Sequence, residues 1–329
     1  MALSIGTKVT QMSDTPLFFS VVIPLYNKEA TVARAIQSVL SQTLQDFEIV
    51  VVDDGSTDNG ARVVENIGDP RIRLIHQENQ GVSSARNRGI AEAKHELIAF
   101  LDADDEWLPE FLETIRRMAL RYPDCAIYAT RYFLRTPSGK KMPAIIRGLP
   151  DNFEGILDNY FEIAVRSHPP VWTSATCARK TALQHIGGFP VGVKSGEDLL
   201  TWARLAIKNK IAYFSSCMSI YNLSSSETYE APPIRMPDKQ DIVGNELHKL
   251  IKEYSLLKSE ILLQYCALWH KMRASFYLRL GMNHEARIEI KKAIHYHFIP
   301  RLLIYWLLSF CPLSFVRYTF RCFALRNYD

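Results

Sequence analysis

Three carboxylates, Asp102, Asp104 and Asp105, follow the apolar run 97–101 in this 329-residue chain. Like charges this close repel, and a cleft screens them poorly. A hard divalent cation, Mg2+ or Mn2+, relieves the repulsion. It takes carboxylate oxygens and keeps positions open for phosphate oxygens, so the pattern suits a metal that holds a diphosphate. A helix-capping turn uses the same residue type and is the bland alternative. Two more acidic sets stand apart in the chain. Asp53-Asp54-Gly55-Ser56 follows the apolar run 48–52, and Glu197-Asp198 precedes an amphipathic stretch carrying Leu199, Trp202, Leu205 and Ala206.

The elements that must position these groups alternate. Runs 20–24, 48–52, 72–75 and 97–101 read as short apolar strands. Between the first two, Val32, Ile36, Val39 and Leu40 mark one helix face. Val63, Val64 and Ile67 mark a second helix, and Ser83 or Ser84 caps a third that runs to about 94. This order predicts βαβ units and a mainly parallel sheet. Ligands of open α/β sheets bind beyond the carboxyl ends of the strands. Tyr26-Asn27, Asp53-Asp54 and 102–105 all fall at that edge. Beyond 125 the pattern is mixed, with strands near 126–129 and 211–214, a turn at 186–190, and a linker or mobile loop at 224–239. Residues 242–295 are helical in pattern with a break near Gly281.

A net charge of +4 without a basic, aromatic stripe argues against nucleic acid as a partner. Charge is uneven, since 290–328 holds six Lys and Arg and no acid. Within it, 302–316 carries no charge, falls short of the roughly 20 residues of a span, and is interrupted by Pro312. Flanked by Arg301, Arg317 and Arg321, it suits an anionic membrane surface; a hairpin packed on the body is the alternative. Six scattered cysteines without paired spacing point to a reducing compartment, and the polar N-terminus has no apolar signal core. His168 and His185 read as ordinary packed or surface residues.

SVVIPLYNKEATVARAIQSVL (20–40), VVVDDGSTDNG (50–60), GVSSARNRGI (81–90) and IAFLDADD (98–105) together resemble the inverting nucleotide-sugar glycosyltransferases of family 2. The likeness is strong over about 20–121 and continues more loosely to about 214 through GGF (187–189) and GEDLLTWARL (196–205). It implies an α/β, GT-A-type (Rossmann-like) fold with a mainly parallel central sheet flanked by helices, followed by a C-terminal helical extension. The expected organisation is a tail to 18, a nucleotide-sugar-binding half at 19–125, an acceptor-binding half at 126–225, and a helical region from 226 with the basic apolar tail.

The resemblance also implies roles. Pro24, Tyr26 and Asn27 border the base and ribose, and Glu29 faces the ribose. Asp54 accepts a hydrogen bond from the base, typically uracil, and Arg86 lies near the nucleotide. Asp104 is the direct ligand of Mg2+ or Mn2+, while Asp102 acts on the metal through water or on the ribose. Asp198 is the general base and Glu197 binds the acceptor. The expected partners are a nucleotide-sugar donor, with a lean to UDP, and a saccharide or lipid-linked acceptor of surface glycan synthesis. The expected place is the cytoplasmic face of the cell membrane. Two rival readings are a haloacid-dehalogenase-like phosphatase and a non-catalytic nucleotide-sugar binder. The phosphatase pattern wants Thr or Val where Asp105 stands, and wants its acids on the first strand.

Overall fold

The structure is a computed structural model that describes residues 17–233 and 236–328. The expected N-terminal tail, except residues 17 and 18, lies outside that range. In chain order the elements are β1 (Phe19–Leu25), α1 (Val32–Leu40), β2 (Phe47–Asp53), α2 (Gly60–Glu65), β3 (Ile72–His76), α3 (Val82–Glu92), β4 (Leu97–Phe100) and β5 (Glu106–Trp107). There follow α4 (Phe111–Arg121), β6 (Cys125–Arg135), β7 (Lys141–Pro143), β8 (Glu154–Ile156), α5 (Tyr160–Ala164), β9 (Thr176–Arg179), α6 (Lys180–His185), α7 (Glu197–Lys208) and β10 (Lys210–Asn222). Four helices close the chain: α8 (Ile242–Leu280), α9 (Asn283–Tyr296), α10 (Arg301–Leu308) and α11 (Leu313–Tyr328).

One sheet runs β3-β2-β1-β4-β9-β6-β10-β5. The first four strands are parallel, and β9 enters antiparallel to both β4 and β6. The alternation of side chains splits the core in two. Val21, Ile23, Leu25, Ile49 and Val51 face α1, whose Val32, Ala35, Ile36 and Val39 are buried there. Val22, Ile98 and Phe100 face the other way, onto Ile90 of α3 and Leu200 and Trp202 of α7. Covering both faces is what keeps strands this apolar out of water. The helices carrying Arg86 and Glu197-Asp198 therefore share one face of the sheet.

The third helix begins at Val82 after Gly81 rather than at a serine cap; Ser83 is its second residue and is buried. The 224–239 segment is not a free linker. Thr228 is buried, and Ser226 O accepts Nη1 of Arg279 at 3.1 Å. The break at Gly281 is real and left-handed, at φ 78°. The uncharged stretch 302–316 forms most of a helical hairpin. It buries Leu302, Leu308 and Val316 and exposes Leu303, Leu307, Phe310 and Phe315. All six cysteines are free.

Gly89 sets how close α3 lies to the sheet. A Cβ there would stand 2.3 Å from Val22 Cγ1. G89A should therefore cost about 1–3 kcal/mol by overpacking, read from the denaturant midpoint. Val22→Ala in the same chain should recover part of that loss. Strictly additive losses would contradict the close approach.

Candidate active site

The loop after β1 is clipped to the loop after β2. Asn27, at φ 51°, accepts the N–H of Thr57 at 2.8 Å and donates its own N–H to Ser56 Oγ at 3.1 Å. Glu29 accepts the N–H and Nδ2 of Asn59 at 3.1 and 3.2 Å. Pro24 is half-buried near the end of β1, Leu25 after it is buried, and Tyr26 stands exposed beyond. Burial raises Asp53, but Ser56 and His76 outweigh it and hold the carboxyl below its ordinary value. Asp54 is buried. It accepts Gln77 Nε2, Gln80 N and Gly81 N at 2.7, 2.9 and 2.8 Å. Those bonds use three of a carboxylate's roughly four acceptor positions. Asp54 thus fastens the approach to α3, a duty the sequence pattern does not reveal.

At the end of β4 the acids meet cations. Asp104 Oδ2 lies 2.5 Å from Lys28 Nζ. Glu106 pairs with Arg34 at 2.8 Å and with Arg135. Asp105 lies beneath, buried, with Asn222 N donating to its Oδ1 at 3.0 Å. Burial, then Asp104 and Asp102, push Asp105 well above the usual carboxyl range. Among the described residues its Oδ2 has no hydrogen-bond partner. Buried oxygen donors left short of positive charge fit a hard divalent cation, with Asp104 and Asp102 as the accessible ligands.

Arg86 joins this rim to α7. Its side chain is 4% exposed. Nη2 donates to Asp102 Oδ1 at 2.7 Å, and Nη1 to Glu197 Oε1 at 3.1 Å. The guanidinium sits 5.1 Å over the Phe189 ring. Asn87 holds that ring in place with paired bonds to Phe189 O and N, both 2.8 Å. Burial disfavours the charge on Arg86, but Asp102 and Glu197 more than restore it. Its fork therefore points at two carboxylates and not at an open phosphate site.

The first turn of α7 is fixed by Gly196, at φ 81°. A Cβ there would lie 2.4 Å from the Trp269 ring of α8. Asp198 follows. Burial first, then the negative charge of Glu197, push its carboxyl up to about 7, against the pull of Arg86 and the Leu199 N–H. A carboxyl poised there suits a general base. The structure thus brings Asp102, Arg86, Glu197 and Asp198 together, and sets Asp104 beside them in the same turn. Sequence reasoning missed Lys28, Arg34, Glu106 and Asn222. Lys28 stands inside a quoted motif, but nothing local says that it meets Asp104, 76 residues away. His168 accepts the Ile145 N–H, a packing role, and His185 is exposed.

Residues 20–177 match the sequence profile described as glycosyl transferase family 2. That segment belongs to the family. An uncharacterized glycosyltransferase of Rickettsia conorii is 32% identical over 214 residues, covering 65% of this chain and 34% of that one. The putative glycosyltransferase EpsH of Bacillus subtilis is 37% identical over 137 residues, 40% of this chain and 39% of that one. The chain thus spans about a third of the length of the Rickettsia relatives it matches. In fold it is similar to the crystal structure of S. aureus TarS 1-349 in complex with UDP-GlcNAc. The TM-score is 0.65 at 18% identity, covering 93% of this chain and 92% of that one. The family fold is of GT-A type, as the sheet order and flanking helices require. The phosphatase pattern is absent: the acidic loop follows the fourth strand.

The raised Asp198 has a stability consequence. Its folded carboxyl stays protonated above the ordinary value of 3.8, up to about 7. The native state then binds more protons in that window, and stability falls as pH rises through it. D198N removes this loss. Without divalent cation, the variant should melt close to the native chain at pH 4 and above it at pH 8. A constant difference between the two melting temperatures from pH 4 to 8 would contradict the assignment.

Proposed function

We propose that this family 2 chain is a metal-dependent inverting glycosyltransferase. It moves a sugar from a UDP-sugar to a hydroxyl of a saccharide or lipid-linked saccharide, at the cytoplasmic face of a membrane, in surface glycan synthesis. The observation that carries this reading is the bridge from Asp102 through Arg86 to Glu197, with Asp198 beside it raised to about 7. One guanidinium spans the donor acids and the helix that starts with the base.

Asp198 takes the proton of the acceptor hydroxyl. That oxygen attacks the anomeric carbon from the face opposite the diphosphate. The bond from carbon to the diphosphate oxygen breaks, the nucleoside diphosphate leaves with the electron pair, and the configuration inverts. No covalent nucleophile is needed, so a single carboxylate suffices for the proton. Mg2+ or Mn2+, held by Asp104 and Asp102, would neutralise the diphosphate and favour its departure. Glu197, oriented by Arg86, lines the acceptor side. Pro24, Tyr26, Asn27, Glu29 and Asp54 border the nucleotide, Asp54 by fixing the loop before α3 and with one acceptor position left for a base N–H. The UDP-GlcNAc bound by TarS on a similar fold supports the donor class.

The membrane part rests on the C-terminal hairpin. No described helix is long and apolar enough to cross a bilayer. One face of α10 and α11 is nevertheless apolar and open, with Leu307 67%, Phe310 63% and Tyr318 66% exposed. Exposed Arg301 and Arg321 flank it. An amphipathic face with basic borders binds in the interface plane.

Release of nucleoside diphosphate from a UDP-sugar, with acceptor and manganese present, tests the reading. D198N should lower kcat by about 10²–10⁴-fold and leave calorimetric UDP affinity unchanged. D104N should weaken manganese and UDP binding together. Full turnover in D198N would overturn the role of Asp198, and unchanged affinity in D104N would overturn the metal assignment.

A further inference from the structure

Next to the exposed hairpin face lies a recess of about 280 Å3, walled by the 229–232 segment, the end of α8 and α11. Its polar lining is Arg279, Arg317, Arg321, Tyr229, Tyr318 and Glu230. Arg279 is 6% exposed, and among the described residues its Nε has no hydrogen-bond partner. Its Nη1 reaches only a backbone oxygen, Ser226 O, and its guanidinium lies 4.4 Å over the Tyr229 ring. Arg317 donates Nε to Arg279 O at 3.1 Å, which fixes the second arginine against the first. Tyr229 holds a left-handed backbone at φ 62°, uncommon for an aromatic residue. Glu230 is exposed, at the rim.

We propose that this recess binds the phosphate of a membrane-lipid headgroup. Three guanidinium groups face one small space against a single carboxylate, Glu230, which leaves the recess net positive, and Arg forks match phosphate oxygens in geometry. A buried Nε short of an acceptor costs free energy that a phosphate oxygen would return. The neighbouring face, with Phe315 52% and Tyr318 66% exposed, puts apolar surface where acyl chains would begin. The recess also connects to the acid rim. Asn222, which donates to Asp104 O and Asp105, is seven residues before Tyr229, so the two sites lie within about 25 Å. This proposal rests on the membrane-surface reading above.

The phosphate could belong to a bulk anionic phospholipid or to the diphosphate of a lipid-linked saccharide; the chemistry is shared, and the assay separates them. The full chain is sedimented with vesicles of neutral phosphatidylcholine, of the same lipid with phosphatidylglycerol, and of the same lipid with a polyprenyl diphosphate at equal charge. Inorganic phosphate is titrated separately by thermal shift. At least tenfold tighter binding to a phosphate-bearing vesicle is expected, with the preferred one naming the source. R317Q/R321Q should lose most of that preference. R279K, which keeps the charge but not the fork, should lose part of it. The charge-matched K291Q/K292Q, on α9 outside the recess, should lose clearly less of it.

Equal losses in the two double variants would overturn the recess as a site while leaving membrane binding intact. Failure of the native chain to sediment with any vesicle would instead overturn the membrane reading. A thermal shift with inorganic phosphate that vesicles do not exceed would overturn the lipid source.

Discussion

The structure depends on a buried cation shared between two carboxylates. Arg86 has almost no access to water, so its charge is tolerable only while Asp102 and Glu197 remain within reach. Removing one partner from such a set costs about 3–5 kcal/mol, because it strands a buried charge. That constraint fixes the distance between the end of β4 and the start of α7. Several features serve it. Gly89 brings α3 down on β1, Asn87 clips the Phe189 loop under the guanidinium, and Gly196 admits the Trp269 ring beside the first turn of α7. For the proposed in-line displacement a rigid link between Asp102 and Asp198 matters, since misplacement by an ångström is expensive in rate.

The same arrangement explains why the two acid pairs differ chemically. Asp102 and Asp104 stand near cations and partly in water. Asp105 and Asp198 are pressed between burial and neighbouring negative charge, and both are raised. Lys28 and Arg34 temper the rim from the side of α1. The rim is therefore not a bare cluster of like charges. Under the proposed reaction, the stability given up at Asp198 keeps a base available near neutrality.

Much of the first half was legible in the sequence. Strands β1, β2 and β4 are buried on both faces, so their apolar runs are unbroken and easy to read. Val32, Ile36 and Val39 gave the face of α1 because that face is buried. The convergence of Asp54, Asp102 and Asp104 on one edge followed from parallel topology alone. The second half was harder for physical reasons. β9 is four residues long and antiparallel between two parallel strands, and β10 carries bulges that break its alternation. Lys28 with Asp104, and Asn222 with Asp105, are long-range pairs that no local pattern encodes. The resemblance puts Arg86 near the nucleotide; only the structure shows its burial, set by α7 and the Phe189 loop, and its fork on Asp102 and Glu197. The hairpin at 302–316 packs one face on α8 and α9, as the packed alternative expects, and leaves its other face open.

The most direct measurement is the pH profile of kcat/KM for nucleoside diphosphate release in the native chain and in R86Q. The native profile should fall on the acid side with a midpoint near pH 7, where Asp198 gains its proton. In R86Q, with the stabilising charge gone, that midpoint should move to higher pH. A flat profile from pH 5 to 8, or a midpoint that R86Q leaves in place, would contradict the coupling of base and donor rim through Arg86.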